Sequence, residues 1–176
     1  MISVDEKNIE FWNELCGTGL AVQLGIKDQS PSSLKKFDDW YLDYYFYLPI
    51  HIPFTAMKDQ KVLEIGLGYG TVAQKLIESH AQYHGLDIAD GPVAMARHRA
   101  AQLGVAADVR QGSALEIPYP DRTFDHVVTI GCLHHTGDLA QALREVHRVL
   151  KVDGRAMIMV YNVLSYRHWR TAPRET

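Results

Sequence analysis

From about residue 60 onward, short apolar runs alternate with stretches whose apolar residues recur every three or four positions. The first kind fits buried strands, and the second fits helices that lay one face on a sheet. Residues 61–66 read as a strand, and 70–79 as a helix with Val72, Ala73, Leu76 and Ile77 on one face. "QYHGLD" is a second strand and 91–103 a second helix, with Pro92 suited to its first turn. "DVRQGSA" is a short third strand. "FDHVVTIGC" is almost continuously apolar and rich in β-branched residues, as in the middle of a parallel sheet. In "DLAQALREVHRVL", Asp138 and Gln141 form a capping-box pair, while Leu139, Leu143, Val146 and Leu150 make an apolar stripe. "VDG" reads as a turn and "RAMIMVY" as a fifth strand. This alternation implies parallel strands joined by right-handed crossovers, an α/β fold built on an open doubly wound sheet.

Before residue 60 the pattern differs. "SLKKFDDWYLDYYFYLPIHIPF" is aromatic-rich, and Leu34, Phe37, Tyr41, Tyr44 and Tyr45 recur at helical spacing. Ser32 or Ser33 is placed to cap this helix, with Pro49 and Pro53 ending it. The segment reads as a lid over the later sheet's ligand pocket, with plain core packing as the alternative. Upstream, Phe11, Trp12, Cys16 and Gly17 in "FWNELCGTGLAV" suggest a second, loop-like lid element.

Composition narrows the function classes. A net charge of −3 with no basic cluster gives no footprint for nucleic acid. No apolar run approaches the ~20 residues needed to span a bilayer. The acidic, polar start does not resemble a signal peptide, and two distant cysteines read as a reduced, cytoplasmic chain.

The candidate chemistry sits in "VLEIGLGYG", residues 62–70. In doubly wound sheets a ligand lies beyond the carboxyl ends of the strands. Gly66, Gly68 and Gly70 clear side chains from the turn there, and the following helix points its N-terminus at the same place. Asp87 ends the second strand nineteen residues after Gly68, a spacing that suits a grip on the two hydroxyls of an adenosine ribose. Without a ligand, the same residues would be a tight turn and a helix cap. Nicotinamide dinucleotides and S-adenosylmethionine both carry that ribose. The dinucleotide fingerprint G-x-G-x-x-G/A is not matched, because Gly70 comes one position early and Thr71 follows it. Glu64 beside the turn would repel a pyrophosphate and favour the ammonium and sulfonium of S-adenosylmethionine.

These motifs resemble those of class I S-adenosylmethionine-dependent methyltransferases, in the subgroup called methyltransferase type 11. "VLEIGLGYG" resembles the family's E/D-x-G-x-G-x-G motif, and "GLDIA" its ribose-binding acidic loop. "QGSALEIPYPDRTFDHVVTIGCLHHTGD" is similar to the family segment G-D-A-x-x-L-P-F-P-D-x-S-F-D…LHH, and "LREVHRVLKVDGRAMIMV" to its L-x-E-x-x-R-V-L-K-P-G-G unit. The resemblance covers roughly residues 60–162. It implies a Rossmann-like sheet of order 3-2-1-4-5 and S-adenosyl-L-methionine as cofactor. By position, Glu64, Gly66, Gly68 and Gly70 would line the methionyl and sugar side. Asp87 would hold the ribose, Ile88 would lie on the adenine, and Ser113 and Ala114 would form the adenine edge. Ile130 and Gly131 would close the methionyl side. Residues 1–58 are then an N-terminal lid segment, 59–162 the cofactor-binding domain and 163–176 a tail.

Some positions depart from the pattern. Ser113 stands where the family has an acid, and "VDG" replaces P-G-G. The last two of the family's usual seven strands have no counterpart, so the fifth strand is expected to expose an edge, to favour a homo-oligomer and to weaken activity. His134 and His135 after Cys132 match no closed zinc site, so no metal is expected. Either histidine is a candidate general base, the alternative being a loop-packing role. "IGCL" after the fourth strand lacks the Asn/Asp-Pro-Pro-Tyr/Phe motif of base-amine methyltransferases, which argues for a small-molecule acceptor. The rival readings are a cofactor-binding fragment without catalysis and a dinucleotide-dependent oxidoreductase.

Overall fold

The computed structural model describes residues 4–15 and 18–162. Cys16, Gly17 and the tail from 163 lie outside the described residues. The N-terminal part is helical: α1 (Val4–Leu15), α2 (Thr18–Gln23), α3 (Pro31–Tyr44) and α4 (Leu48–His51), then a 3-10 turn at Phe54–Met57. The sheet follows, with β1 (Lys61–Ile65), α5 (Thr71–Glu78), β2 (Gln82–Asp87), α6 (Asp90–Gln102), β3 (Asp108–Gln111), β4 (Phe124–Ile130), α7 (Leu139–Val149) and β5 (Leu150–Met159). All neighbouring strands pair in parallel, in the order β3-β2-β1-β4-β5. The order implied by the family resemblance is therefore the one found.

Period-two alternation on β1 builds two cores. Val62 joins Leu76, Ile77, Val93 and Ala96 in one, on the face covered by α5 and α6. Leu63 and Ile65 join Phe124, Val127, Ala142 and Val146 in the other, on the face covered by α7. The face predicted for α5 is buried as expected, with Val72, Ala73, Leu76 and Ile77 all inside.

Several local expectations are corrected. Ser30, not Ser32 or Ser33, caps α3: its hydroxyl accepts from the Ser33 amide, and Pro31 takes the first helical position, where its missing N–H costs nothing. Pro49 does not terminate that helix but sits in the first turn of α4. Only half of the α7 capping box forms. Asp138 accepts from the Gln141 amide, but Gln141 sends its side chain to the Leu115 carbonyl at 3.1 Å. The buried face of α7 is Ala142, Val146 and Val149, leaving Leu139 and Leu143 exposed. The third strand stops at Gln111. The fifth begins at Leu150, with Asp153 in the left-handed region (φ 67°) where the register against β4 shifts. The segment expected to be a loop-like lid is helical in α1 and α2. Among the described residues β5 is an edge strand, and Val152, Ile158, Val160 and Tyr161 at and beyond it are exposed.

Candidate active site

Parallel strands end together, so the turns after β1, β2 and β4 converge on one end of the sheet, as does the segment after β3. A cavity of about 710 Å³, counting its open mouth, lies there. Gly66, Gly68, Asp87, Ile88, Ser113, Ala114, Ile130 and Gly131 all line it. The structure thus brings together eight of the ten residues singled out for cofactor binding. Glu64 and Gly70 are not in the wall.

The turn after β1 is built on positive φ angles at Gly66 (82°), Gly68 (52°) and Gly70 (78°). At Gly66 a side chain is excluded twice over, because a Cβ there would lie 2.4 Å from Cys132 Cβ. We expect Gly66→Ala to lower the unfolding midpoint by roughly 3–10 °C, from ~1–3 kcal/mol of strain at a few degrees per kcal/mol. Differential scanning calorimetry checks this, and an unchanged midpoint would show that the turn yields.

Asp87 ties the turn to β2. Its Oδ2 accepts the Leu67 amide at 2.7 Å, and its Oδ1 accepts the Ala89 amide at 2.9 Å. Burial lifts its pKa above the ordinary value, opposed by the backbone amides of Ala89, Leu67 and Ile88. Each carboxylate oxygen keeps a second lone pair for a ligand hydroxyl. Ser113 Oγ accepts the Leu115 amide at 3.2 Å, so it stiffens its own turn while facing the cavity.

Glu64 follows the alternation of β1 and shares the face of Val62, away from Ile65, which does line the cavity. Its buried carboxylate accepts the Tyr83 hydroxyl at 2.7 Å. Burial pushes its pKa up to about 8, while the Tyr83 bond opposes this, Asp87 adds to it and Arg99 opposes it. The carboxyl therefore stands behind the turn and is mostly neutral at pH 7.

Of the two histidines, His135 lines the cavity and His134 does not. Burial lowers both pKa values, with His135 adding to the effect on His134, so both rings are held neutral. Tyr161 closes over His134 with ring centroids 4.4 Å apart. Among the described residues no group of three His, Cys, Asp or Glu side chains is arranged to hold a metal ion. Nor is any helix among them long and apolar enough to cross a membrane.

Among the described residues the cavity wall takes none from α3 or α4, the aromatic segment expected to lid it. The N-terminal contribution comes from α1. Asn8 lines the cavity and donates to the His135 carbonyl at 2.8 Å. Cys132 and Thr136 also line it. Cys132 and Thr136 were within reach of sequence reasoning, since they flank the histidine pair after β4. Asn8 was not, because its role depends on a contact across 127 residues.

An open parallel sheet of this order, with a glycine turn, a strand-terminal carboxylate and a cavity between them, defines a Rossmann-like domain. Residues 63–158 match the methyltransferase domain family, and the chain belongs to it, within the class I S-adenosylmethionine-dependent fold. It is 33% identical over 109 residues to the ubiquinone biosynthesis O-methyltransferase of Pseudomonas aeruginosa, covering 61% of this chain and 47% of that one. It is 35% identical over 102 residues to the methyltransferase YcgJ of Bacillus subtilis, covering 57% of this chain and 40% of the relative. The crystal structure of YcgJ superposes with a TM-score of 0.57 at 34% identity, covering 64% of this chain and 49% of that one. The chain spans about half the length of the curated relatives it matches.

Proposed function

We propose that the cavity binds S-adenosyl-L-methionine and that the chain carries out methyl transfer to a small-molecule acceptor. The observation that carries this is the convergence of the Gly66–Gly68 turn and Asp87 on one cavity. The fit is specific at two points. Gly66, with no side chain, lets the turn backbone form the wall while packing directly on Cys132, and Asp87 has lone pairs left for a ribose diol while its remaining contacts hold the turn. Ile88 would lie against the adenine, Ser113 and Ala114 would form its edge, and Ile130 and Gly131 would border the methionyl end. Glu64 and Gly70 would support the turn from behind.

When bound, the cofactor supplies a methyl group already activated on a sulfonium. The protein's part is to hold donor and acceptor in line and to exclude water. Asn8 of α1 lines the cavity and ties α1 to the His135 carbonyl. His135, held neutral by burial, is the better placed of the two histidines to take a proton from an acceptor hydroxyl or amine. The name of the Pseudomonas relative, an O-methyltransferase, fits a hydroxyl acceptor. We place this activity in the cytoplasm, with no nucleic-acid partner.

A dinucleotide is disfavoured by the turn itself. Its glycines do not follow the G-x-G-x-x-G/A fingerprint, and the Leu67 amide, which could otherwise face a phosphate, is given to Asp87. Calorimetric titration is expected to give binding of S-adenosylmethionine and S-adenosylhomocysteine, and affinity for NAD weaker by at least about a hundredfold, or ~2.7 kcal/mol. Comparable affinity for NAD would sink the cofactor assignment. Methyl label transferred from the cofactor to a component of a metabolite extract would identify the acceptor. Tight cofactor binding with no transfer would favour the fragment reading.

A further inference from the structure

Behind the glycine turn lies a charged cluster that takes no part in the cavity wall. Arg99 on α6 is fully buried. Its Nη1 and Nη2 donate to the two carboxylate oxygens of Asp38 on α3, at 2.7 and 2.9 Å. Its Nε donates to the Tyr69 carbonyl, inside the turn, at 2.8 Å. Thr71, the first residue of α5, donates its hydroxyl to Asp38 at 2.6 Å. A Cβ on Gly70 would sit 2.7 Å from Arg99 Cδ, so the turn lies directly on the arginine side chain. Phe37, next to Asp38, packs its ring 4.3 Å from that of Tyr69.

Stability alone is a weak reason for such a cluster, since a buried ion pair often contributes no more than an apolar replacement of the same shape. Its specific effect is on the turn. One guanidinium fixes the Tyr69 carbonyl and the left-handed path at Gly70, and Asp38 fixes the guanidinium. Asp38 also cancels a positive charge that would otherwise stand, poorly screened, behind a site for a cation.

We propose that Arg99, oriented and neutralised by Asp38, is a positioning residue that shapes the cofactor turn and makes it tolerant of the cofactor's positive charge. The N-terminal segment would thus act through α3 as the buttress of the turn. This rests on the S-adenosylmethionine reading of the cavity.

The test is calorimetric titration of the full chain with S-adenosylmethionine and S-adenosylhomocysteine, which differ by the sulfonium charge. Asp38→Asn keeps the shape and leaves Arg99 uncompensated. It is expected to weaken both ligands, and to weaken S-adenosylmethionine by a further factor of at least about three. Arg99→Lys keeps the charge but cannot serve the carbonyl and both carboxylate oxygens together. It is expected to weaken both ligands equally, by about tenfold. A purely structural brace would lower the unfolding midpoint in each variant and leave both the affinities and their ratio as in the wild type. That result in a folded variant overturns the proposal, as does an Asp38→Asn variant that weakens both ligands to the same degree. Should Asp38→Asn fail to fold, Arg99→Gln tests the charge in the opposite sense, with the ratio moving toward S-adenosylmethionine. An unmoved ratio there, or an Arg99→Lys variant that binds both ligands as the wild type does, is equally fatal. A wild-type chain that binds neither ligand is a different failure, that of the cofactor reading itself.

Discussion

Replacing Asp87 by alanine is expected to cost at least about a hundredfold in affinity for S-adenosylhomocysteine. Two charge-assisted hydrogen bonds to a ribose diol are at stake, each worth roughly 1.5–3 kcal/mol, and about 1.4 kcal/mol is a factor of ten. The same carboxylate also accepts the amides of Leu67 and Ala89, so the ligand-free protein should weaken as well. Two buried amides left without partners cost ~1–3 kcal/mol each, which predicts a midpoint lower by roughly 4–15 °C. Asp87→Asn retains one acceptor oxygen and should fall between alanine and wild type on both measures. The joint readout of calorimetric titration and thermal unfolding separates the roles. A destabilised Asp87→Ala that still binds with wild-type affinity would make Asp87 only a staple between the turn and β2.

The sequence carried the sheet almost completely, because its signals there are local. β1 and β4 are short apolar runs, α5 buries the four residues that its spacing marks, parallel pairing follows from the alternation of strands and helices, and the strand order follows from the family pattern. α7 shows where such reading fails. Two stripes overlap on it, Leu139-Leu143-Val146-Leu150 and Ala142-Val146-Val149, and both satisfy helical spacing. Size drew attention to the first, but the second faces the sheet, where a small alanine permits close approach. At the α3 start, Pro31 was a legible marker that the cap must precede it. β1 held a legible marker too, since alternation alone assigns Glu64 to the face of Val62 rather than that of Ile65. What no local rule supplies is the contribution of the N-terminal helices. Asn8 reaches His135, and Asp38 reaches Arg99 across 61 residues. Those contacts exist only because the sheet brings the partners together, and nothing in the spacing of either helix announces them.

Stability of the ligand-free protein is expected to fall as pH rises from about 5 to about 8, and Glu64 is expected to be the main cause. Its carboxyl titrates near 4.5 in the unfolded chain and is pushed up to about 8 in the folded one, chiefly by burial. Between those values the folded state holds a proton that the unfolded state has released. Stability therefore declines with pH through that window and levels off above the folded value. The loss should be on the order of several kcal/mol, enough to lower the unfolding midpoint visibly. Glu64→Gln has nearly the same shape and cannot ionise. It should match the wild type near pH 5, exceed it at pH 8–9 and remove most of the slope between. At pH 7 the variant should bind S-adenosylhomocysteine almost as the wild type does, because the side chain is outside the cavity wall and already largely neutral. Calorimetric melts of both proteins at pH 5, 6.5, 8 and 9 decide the matter. Parallel curves would show that Glu64 stays ionised in the fold. Its charge would then stand behind the turn at neutral pH, and Glu64→Gln should selectively weaken the cationic S-adenosylmethionine relative to the homocysteine product.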